Sequence, residues 1–198
     1  MAFYLRKVKR NHWIKDNEVC AVHAADAITD SLHTYSNGLS IWLSESSANV
    51  DHAVLAMLLS HEDTSTFDVV CISSEFLEGS EIEYEQIDAK NENEYLRVKH
   101  HDMLRLNIDM LILVADHVKG CCQQYLDQKI VNRGKSISSA DESLFLIKRF
   151  NKSKILDLVE SAIQKNEVKP EHFREQFFEK YSQDISRREQ VKANNLAN

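Results

Sequence analysis

The sequence has little of what marks fibrous, disordered or membrane-spanning proteins. Its 198 residues include four glycines and one proline, which excludes a collagen-like chain and argues against a Pro-rich or Gly-rich disordered one. No stretch approaches the run of about 20 apolar residues that crosses a bilayer, so we expect no membrane association. With 43% hydrophobic and 28% charged residues, the chain has enough apolar side chains for a folded core.

Cysteine is scarce as well. The four cysteines, Cys20, Cys71, Cys121 and Cys122, lack the density of a disulfide framework and the spacing of a zinc site. The basic first ten residues precede no apolar signal core, so we expect a cytoplasmic protein with reduced thiols. Complete phosphate-loop, dinucleotide-binding, serine-hydrolase and zinc-protease motifs are absent from the sequence. We therefore predict no cofactor and no bound metal, and we favour a protein that is not an enzyme.

Acidic residues outnumber basic ones, and the excess lies in the first half of the chain. The net charge is −7, but residues 17–100 carry sixteen acids against three Lys or Arg, whereas residues 1–16 carry one acid against five. The acids that we single out in the densest segment are Glu81, Glu83, Glu85 and Asp88. We interpret them as an acidic face that binds a basic protein partner. The alternative is a solvated face that only adds solubility.

Hydrophobic periodicity predicts both strands and helices in the first half of the chain. Alternating or β-branched runs predict strands, whereas a spacing of three and four predicts helices. The predicted strands are 3–8, 39–43, 67–72 and a half-exposed edge strand over 82–86, and the predicted helices are 18–32 and 48–60.

The second half is predicted to be helical. The apolar spacing predicts one long helix from Asp102 to Ile130, and further helices cover 144–150, 155–163 and the segment after Pro170. We predict an α+β (or α/β) fold: a small mixed β-sheet with packed helices in residues 1–100 and a helical region over 101–198. A polar tail follows from about residue 182. Because no linker divides the chain, residues 1–198 are expected to form a single compact unit.

His100, His101 and Asp102 form the most suggestive local cluster. Imidazole and carboxylate groups together bind metals or share a proton. With His61, Glu62 and Asp63, which have the same chemistry, they define an alternative function, a metal-dependent hydrolase or nuclease. Adjacent residues on a helix do not face each other, so we favour a structural role for the first cluster, at a predicted helix start.

The amino-terminal segment combines basic and aromatic residues. Its cations are Arg6, Lys7, Lys9, Arg10 and Lys15, and they define a second alternative, a nucleic-acid-associated protein that uses this arm. We favour the interpretation that the arm folds back onto the acidic half of the chain. Trp13 is a candidate anchor, either for this segment or for a partner.

These observations favour a non-enzymatic protein-interaction module: a regulator or an antitoxin-like or immunity-like inhibitor that binds a basic protein. Nucleic acid is a possible partner only through the amino-terminal arm. The apolar stripe of the long predicted helix is also compatible with a homodimer.

Overall fold

Residues 2–22, 25–34, 36–47, 49–87, 93–131 and 146–196 are described by the structure, which is a computed structural model. They form a six-stranded sheet whose described strand pairs are all antiparallel, with helices packed on both faces. The fold is α+β, as predicted. The strand order is β6-β7-β4-β1-β5-β8, for β1 (Phe3–Val8), β4 (Leu39–Ser44), β5 (Phe67–Ser73), β6 (Tyr84–Gln86), β7 (His100–Met103) and β8 (Ile147–Phe150).

A small hairpin and eight helices complete the described residues. The hairpin pairs β2 (Ile14–Lys15) with β3 (Glu18–Val19). The helices are α1 (Arg10–Trp13), α2 (Ala25–Ser31), α3 (Asp51–Leu58), α4 (Ser74–Gly79), α5 (Glu94–Arg97), α6 (Ile108–Val131), α7 (Lys152–Gln164) and α8 (Glu175–Leu196), with a 3₁₀ turn at Pro170–His172 before α8.

Strand β1 lies inside the sheet and contributes to a core on each face. Leu5 belongs to the core that includes α3, α7 and the start of α8. Its neighbours on the strand, Tyr4 and Val8, belong to the core that includes α6 and parts of α1, α2 and α4. The alternation of a β-strand sends successive side chains to opposite faces, and the strand predicted over 3–8 is confirmed as β1. The predicted strands 39–43 and 67–72 are also confirmed, as β4 and β5.

Two helices begin later in the chain than predicted. The helix expected from residue 18 begins at Ala25, since Asp16 and Asn17 both adopt positive φ in the two-residue turn of the β2–β3 hairpin. The helix expected from Asp102 begins at Ile108. Asn107 caps it, because its side-chain oxygen accepts a 2.9 Å hydrogen bond from the backbone N–H of Met110.

Two short strands lie where helices were predicted. Asp102 is part of β7, which pairs with β4 on one side and β6 on the other. Residues 147–150 are β8, which pairs with β5, so the helix predicted over 144–150 is wrong in its described part. Apolar runs of this length do not distinguish a strand from a helix, and pairing with β5 decides the outcome. Residues 144 and 145 of that predicted helix lie outside the described residues.

The carboxy-terminal helices pack together against one face of the sheet. Helix α7 confirms the predicted helix over 155–163, and α8 continues through the polar tail as far as Leu196. The rings of Phe173 and Phe177 stack with centroids 5.1 Å apart at the start of α8. Farther along, Arg188 of α8 donates hydrogen bonds to Asp157 and Glu160 of α7. Ion pairs thus contribute to holding the tail from residue 182, together with Ile185, which packs against the core.

Candidate functional site

The His100–Asp102 cluster lies on a strand, so its three side chains do not converge. His100 and Asp102 share one face of β7, with Nε2 of His100 3.4 Å from Oδ1 of Asp102. His101 points to the other face, where its ring lies 5.3 Å from that of Tyr4. On the first face, the ring of Trp42 lies 5.5 Å from His100. The cluster thus supplies one His–Asp pair, packed beside a tryptophan.

Burial is the main influence on the pKa values of the two histidines. It lowers the pKa of His100 below the usual value for histidine, although the nearby Asp102 carboxylate acts in the opposite direction. Burial also lowers the pKa of His101. The lowered pKa values favour the neutral form of both imidazoles. No group of three or more His, Cys, Asp or Glu side chains in the described part of the chain is arranged to hold a metal ion.

His61, Glu62 and Asp63 have separate partners. Nδ1 of His61 donates to the carbonyl of Met57 at 2.8 Å, and its Nε2 accepts from Lys7 at 2.9 Å. Glu62 accepts a 2.8 Å hydrogen bond from Arg174. Asp63 accepts from the backbone N–H of Ser65, also at 2.8 Å. These three side chains therefore have separate structural contacts and do not form a common site.

Trp13 is part of the core. Its side chain is buried, with 1% of the residue exposed, and its indole Nε1 donates a 3.1 Å hydrogen bond to the hydroxyl of Ser31. Of the two roles predicted for Trp13, the structure therefore supports the anchoring of the amino-terminal segment. While the chain keeps this fold, the indole has no surface left for a partner.

A Cys–His contact occurs within α6. Sγ of Cys121 lies 3.6 Å from Nε2 of His117, but that nitrogen also donates to the carbonyl of Cys71 at 3.3 Å. Burial raises the pKa of Cys121 to about 12. A neutral thiol beside an imidazole N–H is not an activated nucleophile, so this contact is part of the core packing.

The acidic residues lie at one edge of the sheet. Strand β6 is the edge strand there, and Glu81, Glu83 and Glu85 are exposed on it or just before it. Asp88 lies outside the described residues. The exposed acids of α4 precede the strand, and we name the whole set the acidic edge: Glu75, Glu78, Glu81, Glu83 and Glu85. Arg105 is within 3.0 Å of Glu83 and neutralises part of this charge.

The backbone N–H and C=O groups of β6 point alternately toward its partner β7 and toward the outer side of the sheet. The carbonyl of Glu83 accepts from Leu104, and the N–H of Ile87 donates to His100. The intervening residues of an antiparallel strand direct their polar groups the other way. The N–H and C=O groups of Tyr84 and Gln86 therefore point away from β7, along the outer side of the sheet.

Basic residues line a groove at the opposite edge, beside β8. Two cavities of about 1030 Å³ and 570 Å³ meet at Arg10, Tyr125, Lys129 and Arg149. Together we name them the basic groove. Its cations come from the end of β1, from α6, from β8 and from α7: Lys7, Lys9, Arg10, Lys129, Lys148, Arg149, Lys154 and Lys165. The same lining contains five carboxylates: Asp16, Asp51, Asp68, Asp157 and Glu167.

A buried carboxylate lies between the arginines of this groove. Asp68 of β5 is 8% exposed, and no hydrogen bond from the described residues reaches its Oδ1. Nε of Arg10 is 3.8 Å from that oxygen, and the guanidinium of Arg10 lies 4.8 Å from the centre of the Tyr125 ring. Arg149 is directly opposite Asp68 on β8. Burial raises the pKa of Asp68 despite the two arginines.

The sequence indicated only part of the basic groove. Lys7, Lys9 and Arg10 belong to the basic segment singled out above, whereas Arg6 is directed into the fold and donates to the carbonyls of Ser31 and Ser40, each at 2.9 Å. The other cations are at least 119 positions away along the chain. Two of them, Lys148 and Arg149, lie in β8, a segment predicted to be helical, so no local pattern revealed the groove.

No protein-family model, no curated protein and no solved structure matches this chain. Among the described residues, no helix is long and apolar enough to cross a membrane. The functional argument therefore depends on the two surfaces at the opposite edges of the sheet.

Proposed function

We propose that the chain is a non-catalytic interaction protein whose acidic edge binds a basic protein partner and thereby regulates or inhibits it. The observation that carries this proposal is the row of exposed glutamates on and beside an edge strand. Edge strands offer backbone groups for pairing, and the acidic side chains restrict that pairing to cationic segments.

The backbone supports recognition of an extended segment. Because the polar groups of Tyr84 and Gln86 point outward, a partner segment is able to pair there as a seventh strand without displacing β7. The main-chain hydrogen bonds would supply affinity that does not depend on sequence. Side chains at alternate positions of the partner would supply the specificity.

The charges favour a partner with basic residues at every second position. Glu85 lies on β6 and Glu83 directly before it, where the pairing with the chain after β7 continues. Two residues apart on an extended backbone, their side chains share one face of the sheet about 7 Å apart. Oppositely charged cross-strand pairs stabilise pairing by roughly 0.2–1 kcal/mol each. The wider acidic edge would attract the partner at a distance and make the association rate depend on salt.

A pull-down from cell extract tests the proposal. The full-length protein and a triple variant, Glu81→Lys with Glu83→Lys and Glu85→Lys, are immobilised, and the retained proteins are identified and quantified by mass spectrometry at low and moderate salt. We expect the wild type to retain a basic protein in stoichiometric amount, with release by salt. The triple variant should lose it. Equal retention by both proteins would contradict the proposal.

Two further variants separate charge from strand pairing. Reversing three acids that are exposed on α8, Glu175, Glu179 and Glu189, changes the net charge equally and should leave retention intact. Gln86→Pro removes an outward N–H but no hydrogen bond to β7. It should weaken retention although all acids remain, and retention unchanged by Gln86→Pro would rule out strand pairing.

A further inference from the structure

We infer that the basic groove binds single-stranded nucleic acid, with phosphates on its cations and a sugar or base donor on Oδ1 of Asp68. The groove lies at the β8 edge, and the acidic edge lies at the other side of the sheet. The two surfaces share no residue, so this site is independent of the function proposed above.

The size of the groove favours a chain of several nucleotides over one small molecule. Small-ligand pockets typically occupy about 300–1000 Å³. The larger cavity, of about 1030 Å³, already reaches the top of that range, and the cavity of about 570 Å³ extends it past Arg10 and Arg149. Two cavities that share four lining residues suit a ligand that continues from one into the other.

The charges of the groove suit a polyanion. Eight Lys and Arg side chains line it against five carboxylates, although the whole chain carries a net charge of −7. One of the carboxylates, Asp157, also accepts from Arg188, which lies outside that lining. Cations therefore outnumber carboxylates in the groove, which favours phosphates.

The edge strand adds backbone donors. Strand β8 pairs with β5 through the carbonyl of Leu146, which accepts from Cys71 at 2.7 Å, and the pairing continues at Lys148 and Phe150. The N–H groups of Ile147 and Arg149 therefore point away from β5. Backbone N–H groups are common phosphate ligands in nucleic-acid complexes because they contact phosphate oxygens of any sequence.

The centre of the groove combines a planar cation, an aromatic ring and a buried acceptor. The guanidinium of Arg10 lies over the Tyr125 ring in a cation–π contact, and planar cations and aromatic rings are groups on which bases stack without sequence preference. Oδ1 of Asp68 is a buried acceptor that lacks a donor among the described residues. A phosphate would be repelled by that oxygen, whereas a sugar hydroxyl or a base amino group would satisfy it. A nucleotide carries a group for each of these features: a phosphate for the cations, a base for the ring, and a hydroxyl or amino group that donates to Oδ1 of Asp68.

Fluorescence anisotropy with the full-length protein tests the inference. The probe is a labelled single-stranded DNA of mixed sequence, about 12 nucleotides long, titrated at several salt concentrations between about 50 and 200 mM. We expect saturable binding that weakens steeply with salt. The variant Lys129→Glu with Arg149→Glu changes two exposed groove cations. It should weaken binding about tenfold or more and reduce the salt slope, since about 0.7 counterions are released per phosphate contact on single strands.

The matched control is Lys180→Glu with Lys192→Glu, which reverses two exposed lysines of α8 outside the groove. It has the same net charge as the groove variant and should bind the probe within about twofold of the wild type. Circular dichroism of all variants verifies that the fold persists. The triple variant of the acidic edge should bind the probe no more weakly than the wild type, which separates this site from the function proposed above.

Four outcomes would overturn the inference. They are no saturable binding at the lowest salt, equal loss in the groove and control variants, displacement of the probe by inorganic phosphate or a mononucleotide at the same nucleotide concentration, and equally tight binding of a poly-glutamate peptide. The third would indicate a site for a single phosphate group, and the fourth a site for any polyanion.

Discussion

The hydroxyl of Thr64 donates a 2.6 Å hydrogen bond to Oδ2 of Asp184, across 120 positions of the chain. Asp184 is a buried residue of α8, and its other carboxylate oxygen lies 2.7 Å from Nζ of Lys152. This carboxylate thus joins the segment before β5, the start of α7 and the middle of α8. It is a buried charge whose partners are all in place.

Replacing Asp184 by alanine should destabilise the fold. The change leaves Thr64 and Lys152 without their acceptor, and removing one partner of a buried hydrogen bond costs roughly 1–3 kcal/mol. Urea denaturation followed by circular dichroism measures the difference. Glu189→Ala, an exposed position on the same helix, should change the free energy of unfolding by less than about 0.5 kcal/mol. Equal effects of the two changes would refute the role of Asp184.

The contribution of Asp184 should also depend on pH. Burial alone would raise its pKa, but the hydrogen bonds from Lys152 and Thr64 prevail and hold it below the usual 3.8. A carboxylate with a lowered pKa stabilises the fold above its unfolded pKa and loses that effect as the pH falls through the folded value. The stability difference between wild type and Asp184→Asn should therefore narrow below pH 3.8.

The contribution of Asp68 to stability should depend on pH in the opposite direction. Burial raises its pKa above the usual 3.8, so the ionised form is less favourable in the folded chain than in the unfolded one. The folded protein then loses stability as the pH rises from the unfolded pKa through the folded one. We expect Asp68→Asn to unfold at a higher temperature than wild type at pH 7, with a gap that closes in acid. A lower melting temperature at pH 7 would contradict this.

The four cysteines should differ in reactivity. Cys71, Cys121 and Cys122 are buried, and burial raises their pKa values to about 11, 12 and 12. Cys20 is only partly buried. Because the thiolate is the reactive form, a disulfide reagent at neutral pH should modify Cys20 in the folded protein and all four cysteines in denaturant. Cys20→Ser should abolish the fast reaction, and rapid reaction of a second thiol in that variant would show that the core opens.

The local sequence pattern predicted an element correctly where that element has a continuous buried face. Strand β5 is buried on both faces, and its run of β-branched residues identified it. The apolar spacing of Ile155 and Val159 identified α7. Pattern failed at β7 and β8, which have four residues each. Segments this short take their conformation from the strands beside them, because β-propensity mostly reflects packing against neighbours.

The candidate sites also divide into those that local sequence predicted and those that it did not. The exposed glutamates near β6 could be predicted, since acids that alternate with Ile82, Tyr84 and Gln86 indicate a half-exposed edge strand. The geometry of His100, His101 and Asp102 could not be predicted. Neighbouring side chains point in different directions on a helix and on a strand, and a helix start was predicted at this position. The basic groove was also beyond local pattern, as Arg10 and Arg149 come together only through β1, β5 and β8.

The amino-acid sequence by itself determined the composition of the core, the main strands and helices, and the amounts of positive and negative charge. Hydrophobic periodicity is a local property, so a short window of sequence is enough to detect it. Only the tertiary structure decided where the charges lie. The strand order β6-β7-β4-β1-β5-β8 carries the glutamates of β6 to one edge and gathers the cations of distant segments at the other. Strand order follows from long-range pairing, and no window of sequence contains it.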